Sequence, residues 1–109
     1  MSIHIGNQTS FAAPSIDVPF RFAIDNGFSA FEWFPDKKDD GSGWEIDDIS
    51  TDQRDSYRNS AFKNNLRISV HVPWNANPLQ PDAGRIISEH ICFAKDMGAS
   101  LINIHLYTD

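Results

Sequence analysis

The feature that most restricts the fold of this chain is a strand-like alternation of apolar and polar residues in four short runs. These runs are Ile3–Gly6, Phe31–Phe34, Ile68–Val72 and Leu101–Leu106. Side chains along a strand point alternately to opposite faces, so each run separates its apolar residues from its polar ones. The sequence therefore predicts a sheet with one apolar face and one polar face.

The two predicted faces differ in chemistry. The apolar face would carry Ile3, Ile5, Phe31, Trp33, Ile68, Val70, Val72, Ile102 and Ile104. The polar face would carry His4, Glu32, Ser69, His71, Asn103 and His105. Imidazole and carboxylate groups are common acids, bases and metal ligands in enzymes. We therefore expect the polar face to be the functional face.

Helical segments are predicted between consecutive strands. Their limits are Asp17, as an N-cap, to Asn26–Gly27; the capping-box spacing Ser50–Gln53 to Asn64–Asn65; and Asp82 to Gly98. The residues expected to pack on the sheet are Tyr57, Ala61 and Phe62 in the second helix, and Ile87, Ile91, Ala94 and Met97 in the third. Strands that alternate with helices are typical of a parallel α/β sheet. The predicted fold is a single α/β domain over residues 1–109, with the order βαβαβαβ.

The length of the chain corresponds to half of a closed barrel. A complete (β/α)₈ TIM barrel needs about 250 residues, whereas this chain has 109. Four parallel strands alone leave two unpaired edges and an uncovered polar face. We therefore expect a half-barrel that is completed by self-association into a homo-oligomer, or one that lacks its C-terminal half.

Three polar residues are the strongest candidates for chemistry. His71 and His105 are predicted near the carboxyl ends of adjacent strands, where they could bind one divalent metal or act as acid and base. The alternative for each is a hydrogen-bonded structural histidine. Glu32 is a carboxylate within an aromatic strand, and burial of its charge requires a partner. That partner could be a metal, a substrate hydroxyl, a histidine or a salt bridge to Lys or Arg, although the predicted strands carry no Lys or Arg.

Two tryptophans and an asparagine are candidates for substrate binding. Trp44 and Trp74 lie in loops that follow predicted strands, where an indole can stack on the apolar face of a sugar. The alternative is that they anchor these loops. Asn103 and Ser69 are predicted one layer below the histidines as hydrogen-bonding groups, whereas His4, early in its strand, is expected to be structural.

Composition narrows the class of protein and its partners. The formal net charge of −6 argues against a nucleic-acid partner, whose binding depends on Lys and Arg. The chain has no apolar run of the roughly 20 residues needed to span a bilayer, and its first residues lack the basic start and long apolar stretch expected of a signal peptide. Its one cysteine, Cys92, is expected to pack in the core and fits a reducing compartment. We therefore expect a cytoplasmic protein without a membrane partner.

Three segments resemble one known superfamily. Ile68–Trp74 resembles a hydrophobic third strand that ends in His and a short aromatic loop. Asp96–His105 resembles a helix end followed by Gly-Ala, a hydrophobic strand and His. Phe28–Trp33 is similar to a Gly-Phe-x-x-x-Glu second strand. The superfamily is that of the xylose-isomerase-like TIM barrels, which includes sugar phosphate isomerases and epimerases and the endonuclease IV type of abasic-site nuclease (AP endonuclease family 2).

The two branches of this superfamily imply different roles for the same residues. Resemblance to the sugar branch implies that Glu32, His71 and His105 are catalytic residues lining a pocket for a sugar or sugar phosphate. The divalent metal (Zn, Mn or Mg) would then be held by later strands, and this chain would hold none by itself. Resemblance to the endonuclease IV branch implies that His71 and His105 bind zinc in a phosphodiesterase. Glu32, the acidic loop after the second strand and the net negative charge favour the sugar branch, while an inactive, self-associating half-barrel is the third expectation.

Overall fold

The fold is a four-stranded parallel sheet with three helices. The computed structural model describes residues 3–106. Its elements are β1 (Gly6–Thr9), α1 (Asp17–Asp25), β2 (Ala30–Trp33), a 3₁₀ turn (Ile46–Asp48), α2 (Thr51–Lys63), β3 (Arg67–His71), α3 (Ala83–Asp96) and β4 (Leu101–Asn103). The strands lie in the order β1-β2-β3-β4, and each neighbouring pair is parallel. The predicted α/β class, the parallel sheet and the predicted order of elements along the chain, βαβαβαβ, are confirmed.

All three helices contribute to one core on the apolar face of the sheet. Phe20 of α1, Ala61 of α2 and Phe93 of α3 belong to the same buried cluster as Phe31 and Trp33 of β2. The cluster continues through Ile68 and Val70 of β3. Because every crossover returns on this side, the helices form a single layer, and among the described residues no helix covers the opposite face.

Aromatic rings fill the centre of the core. The ring of Phe20 lies 5.2 Å from that of Trp33 and 5.3 Å from that of Phe31, measured between centroids. Tyr57 of α2 closes the group, with its ring 5.0 Å from Phe20 and 4.8 Å from Trp33. Its hydroxyl donates to the Asp17 carboxylate at 3.0 Å. Burial and this hydrogen bond raise the pKa of Tyr57 to about 12.

The first strand differs from its prediction. It spans Gly6–Thr9 rather than Ile3–Gly6, so Ile3 and Ile5 precede it and are exposed. Thr9 takes the inward position and is fully buried. Gly6 fixes this register because its backbone lies against Ala30, where a Cβ would collide with the carbonyl oxygen.

Other sequence expectations at the helices and at the last strand also need correction. The N-cap of α1 is Ile16 and not Asp17, whose carboxylate pairs instead with Arg21. Residues expected in the core but exposed on the surface are Phe62, Ile91, Cys92 and Ile104. They lie on the outer sides of α2 and α3 or beyond β4, which ends at Asn103 rather than Leu106. In α3 the packing face includes His90, Phe93 and Ala94.

The capping box at the start of α2 is confirmed. The Ser50 hydroxyl accepts from the Gln53 backbone N–H at 3.2 Å, and the Gln53 side chain accepts from the Ser50 N–H at 2.8 Å. Replacing Ser50 with Ala removes one of these two bonds. We expect Ser50→Ala to lower the free energy of unfolding by about 1 kcal/mol in urea titrations. Ser56→Ala, a change at an exposed position within the same helix, should cost less, and equal losses would contradict this role for the cap.

Candidate functional site

The polar face forms a continuous surface across the central strands. Glu32 of β2 is in register with Gln8 of β1 and Ser69 of β3, so these three side chains share a face. His71 of β3 is in register with Asn103 of β4 on that same face. The structure therefore brings Glu32, His71 and Asn103 together, on the side opposite to the helices.

Glu32 is held by two hydrogen-bond donors from neighbouring strands. Its carboxylate oxygen Oε2 accepts from the Ser69 hydroxyl at 2.9 Å and from the side-chain amide of Asn103. All three residues are half-buried. These donors orient the carboxylate by hydrogen bonds that a charged acceptor strengthens. Asn103 thus lies beside His71 and contacts Glu32, rather than lying in a layer below the histidines.

His71 has a defined tautomer. Its Nδ1 lies 2.7 Å from the backbone carbonyl oxygen of Val72. Because a carbonyl oxygen can only accept, Nδ1 carries the proton, and in the neutral ring Nε2 keeps its lone pair. The ring also stacks on Phe34, with centroids 4.0 Å apart. This contact and the hydrogen bond together fix the orientation of the imidazole, and Nε2 is left to accept a proton or to bind a ligand.

His105 lies next to His71, although it follows the last strand. The two rings are 4.7 Å apart between centroids and tilted by 57°. His105 is exposed, whereas His71 is half-buried. A carboxylate and two imidazoles on one face can remove a proton from a bound hydroxyl or carbon acid and return it. The geometry is suited to proton transfer.

The two tryptophans occupy a different region from these groups. Trp44 is a buried core residue in contact with Trp33 and Phe93, and its indole N–H has no hydrogen-bond partner among residues 3–106. Trp74 is about half exposed, with a relative exposure of 48%. Both line a cavity at the carboxyl ends of β2 and β3 that none of Glu32, His71 and His105 lines. Trp44 and Trp74 therefore do not share one pocket with Glu32, His71 and His105, as the sequence predicted, but line a separate cavity.

The described residues do not make a complete metal centre. No group of three or more His, Cys, Asp or Glu side chains within residues 3–106 is placed to hold a metal ion. His71 and His105 supply two imidazoles, whereas zinc sites in proteins use three or four protein ligands. His4 precedes β1 and is exposed, so it does not join them.

His90 is a candidate that inspection of the strands did not identify. It lies on the inner face of α3 with 5% relative exposure, and its Nδ1 donates to the Ile86 carbonyl oxygen at 2.7 Å. Burial lowers the pKa of His90, which favours the neutral ring. The helical spacing of His90 with Ile86, Phe93 and Ala94 was the sequence signal that places it inward.

A second carboxylate beside Glu32 should disrupt the polar face. Asn103→Asp would replace a donor by a like charge in contact with Glu32, and such pairs are unfavourable. We expect a loss of about 1–3 kcal/mol in the free energy of unfolding at pH 7, measured with urea. Asn59→Asp, an exposed change of equal charge on α2, is the control, and an equal effect there would refute this local explanation.

Comparison with known proteins does not assign this chain to a family. No protein-family model matches it, and neither does any curated protein or any solved structure. Over residues 3–106, none of the helices is both long enough and apolar enough to cross a membrane.

Proposed function

We propose that this chain is a half-barrel of the xylose-isomerase-like type, and that two copies form a sugar or sugar-phosphate isomerase or epimerase. The observation that carries this proposal is the placement of Glu32, His71 and His105 on the helix-free face of a parallel, singly wound sheet. In a (β/α)₈ barrel that face lines the lumen, and the reacting groups lie at the carboxyl ends of the strands.

The two edges of the sheet support a second copy as the missing half. Parallel sheets are normally covered on both faces, and open edges invite strand pairing. Large exposed apolar residues lie at both edges of this sheet. They are Ile3 and Ile5 beside β1, and Leu101, Ile104 and Leu106 in and after β4. Pairing of β4 with β1 of a second copy, twice over, would bury both groups and close eight strands.

The chemistry follows from the groups on the polar face. Isomerisation and epimerisation of sugars both move a proton at the carbon next to a carbonyl, and a positioned carboxylate or imidazole can carry that proton. Glu32, held by Ser69 and Asn103, is the base in this proposal. His71 and His105 are the groups that transfer protons at the substrate oxygens.

A divalent metal is compatible with this site only if further ligands join the two imidazoles. A metal in such a site would polarise the substrate oxygen. The two histidines of one chain fall short of a complete ligand set, so the proton transfer proposed here is assigned to the side chains alone. Zinc binding at His71 and His105 remains the expectation of the endonuclease IV alternative.

The direct test is exchange of a substrate proton with solvent. The chain is incubated in D₂O with D-fructose or D-fructose 6-phosphate, and loss of the proton next to the carbonyl is followed by NMR. We expect exchange above the protein-free rate for at least one sugar. Glu32→Gln and His71→Asn should each lower it by about 100-fold or more.

The controls separate chemistry from folding and assembly. Asp25→Asn, which makes the same charge change as Glu32→Gln at an exposed position on α1, should leave the exchange rate unaltered. Light scattering should give the mass of a dimer. A monomer, or exchange that is absent or insensitive to Glu32, would overturn the proposal. Stoichiometric Zn²⁺ binding lost in His71→Asn, together with phosphodiester cleavage, would favour the nuclease instead.

A further inference from the structure

A cavity of about 330 Å³ lies beyond the carboxyl ends of β2 and β3, outside the polar face. The loop after β2 contributes Asp36, Glu45 and Asp47, and the loop after β3 contributes Trp74. Helix α3 contributes Glu89 and His90. The volume is within the range of small-molecule sites, which begins near 300 Å³. Since Glu32 and the paired histidines do not line it, this cavity is separate from the proposed reaction site.

The side chains around this cavity are mainly negative. Four carboxylates line it, and Lys37 is the one Lys or Arg among its described lining residues. Two of these carboxylates have partners nearby, since Asp36 pairs with Lys38 at 2.7 Å and Glu89 pairs with Arg85 at 3.2 Å. The Asp47 carboxylate has no ion pair among the described residues. The cavity therefore favours a cation over an anion.

His90 supplies a hydrogen-bond acceptor at the wall of the cavity. Its Nδ1–H is committed to the Ile86 carbonyl oxygen, so in the neutral ring Nε2 is an acceptor. No hydrogen bond joins Nε2 to any residue within 3–106. Because the ring lines the cavity and is 5% exposed, the far nitrogen is left for a donor that enters there. An N–H group of a ligand in the cavity can donate to this nitrogen.

Hydrogen bonds from Arg54 connect two walls of the cavity, the 3₁₀ turn and helix α3. The guanidinium of Arg54 donates to the carbonyl oxygen of Ile46, a lining residue, at 2.8 Å. It also donates to the Asp96 carboxylate at the end of α3, at 3.0 Å. The 3₁₀ turn and α3 thus keep a fixed spacing. A preformed cavity reduces the ordering cost of binding.

We propose that this cavity binds a small organic ammonium ion. One ammonium N–H donates to His90 Nε2, and Asp47 and Glu89 supply the opposing charge. The half-exposed indole of Trp74 packs against the apolar part of the ligand, where a cation–π contact adds to binding. A metal ion fits less well, because the described residues include no group of three or more metal-ligating side chains.

The test uses three probes of nearly equal shape and different charge. Benzylammonium, benzyl alcohol and benzoate are titrated separately into the full chain and followed by calorimetry and by the ring signals of His90 in NMR. We expect saturable one-to-one binding of benzylammonium that shifts the His90 signals. Benzyl alcohol should bind at least about tenfold more weakly, and benzoate should show no saturable binding.

Variants then locate the contacts. Glu89→Gln and Asp47→Asn lie at exposed positions, and each should weaken benzylammonium binding by about threefold. His90→Phe keeps a ring but removes the acceptor, and it should weaken binding by about tenfold. Asp25→Asn, on the distant side of α1, is the charge-matched control and should not change the affinity.

Three results would overturn the assignment. The first is an absence of saturable binding of benzylammonium. The second is benzyl alcohol or benzoate binding as tightly as the cation. The third is Asp25→Asn weakening binding as much as Glu89→Gln. The exposed variants keep the test decisive even if His90→Phe fails to fold.

Discussion

Phe20→Ala is expected to lower the free energy of unfolding by about 3–5 kcal/mol. Phe20 is fully buried, and its ring contacts those of Phe31, Trp33 and Tyr57. Truncation removes its buried apolar surface and leaves a cavity that these rigid rings cannot fill. Because small domains are stable by about 5–15 kcal/mol in total, much of the stability would be lost. Urea titration followed by tryptophan fluorescence and circular dichroism measures the change.

The matched control for this prediction is Phe62→Ala. Phe62 projects from α2 with 86% relative exposure, so its removal empties no packed space. A change within about 0.5 kcal/mol is expected, as for other surface positions. A similar loss at both positions would show that the aromatic cluster around Trp33 does not have the special role assigned to it.

Gly43→Ala should have the second large effect. Gly43 has φ of +85°, and a Cβ there would collide with the carbonyl oxygen of Asp36 and approach Cβ of Phe11 to 3.1 Å. A positive φ alone costs an L-residue about 1–2 kcal/mol, and relief of the collision requires the loop to move. We expect a total loss of about 2–4 kcal/mol in urea titrations. The adjacent Trp44 should also change its fluorescence as its buried environment opens.

Gly84→Ala is the control for the loop glycine. Gly84 lies in the first turn of α3, with open space where a Cβ would go. There Ala should stabilise the chain by about 0.5–1 kcal/mol, because it restricts the unfolded chain and favours a helix. If Gly43→Ala were equally stabilising, the backbone of the loop after β2 could not have the conformation described.

The central strands were predictable because local sequence and tertiary pairing agree there. In β2 and β3 the alternation of Phe31, Trp33, Ile68 and Val70 with polar residues matches the buried and open faces. At β1 the two disagree. The apolar Ile3 and Ile5 precede the strand, while Thr9 is buried in line with Trp33. An edge strand has one neighbour, so its register depends on backbone contacts such as that of Gly6 with Ala30, which alternation alone cannot reveal.

The candidate site was predictable to a similar degree. Strand alternation placed Glu32, His71 and Asn103 on one face, as the sheet register shows. The contact of Asn103 with Glu32 could not be foreseen, since it crosses β3 diagonally and depends on how far each strand is offset. The predicted positions of Trp44 and Trp74 over the polar face were wrong for another reason. A loop residue has no periodicity, and the aromatic core draws Trp44 inward towards Trp33 and Phe93.

The single helix layer has an electrostatic consequence for Glu32 and the paired imidazoles. The protein measures 39 × 34 × 23 Å, so its shortest dimension holds little more than one sheet and one row of helices. With bulk water on the open side, charges there interact through a high dielectric constant and are weakly coupled. Exclusion of that water by any close-fitting neighbour would strengthen every interaction among them several-fold. The strength of the interactions among Glu32, His71 and His105 therefore depends on whether a neighbouring molecule covers the open face of the sheet.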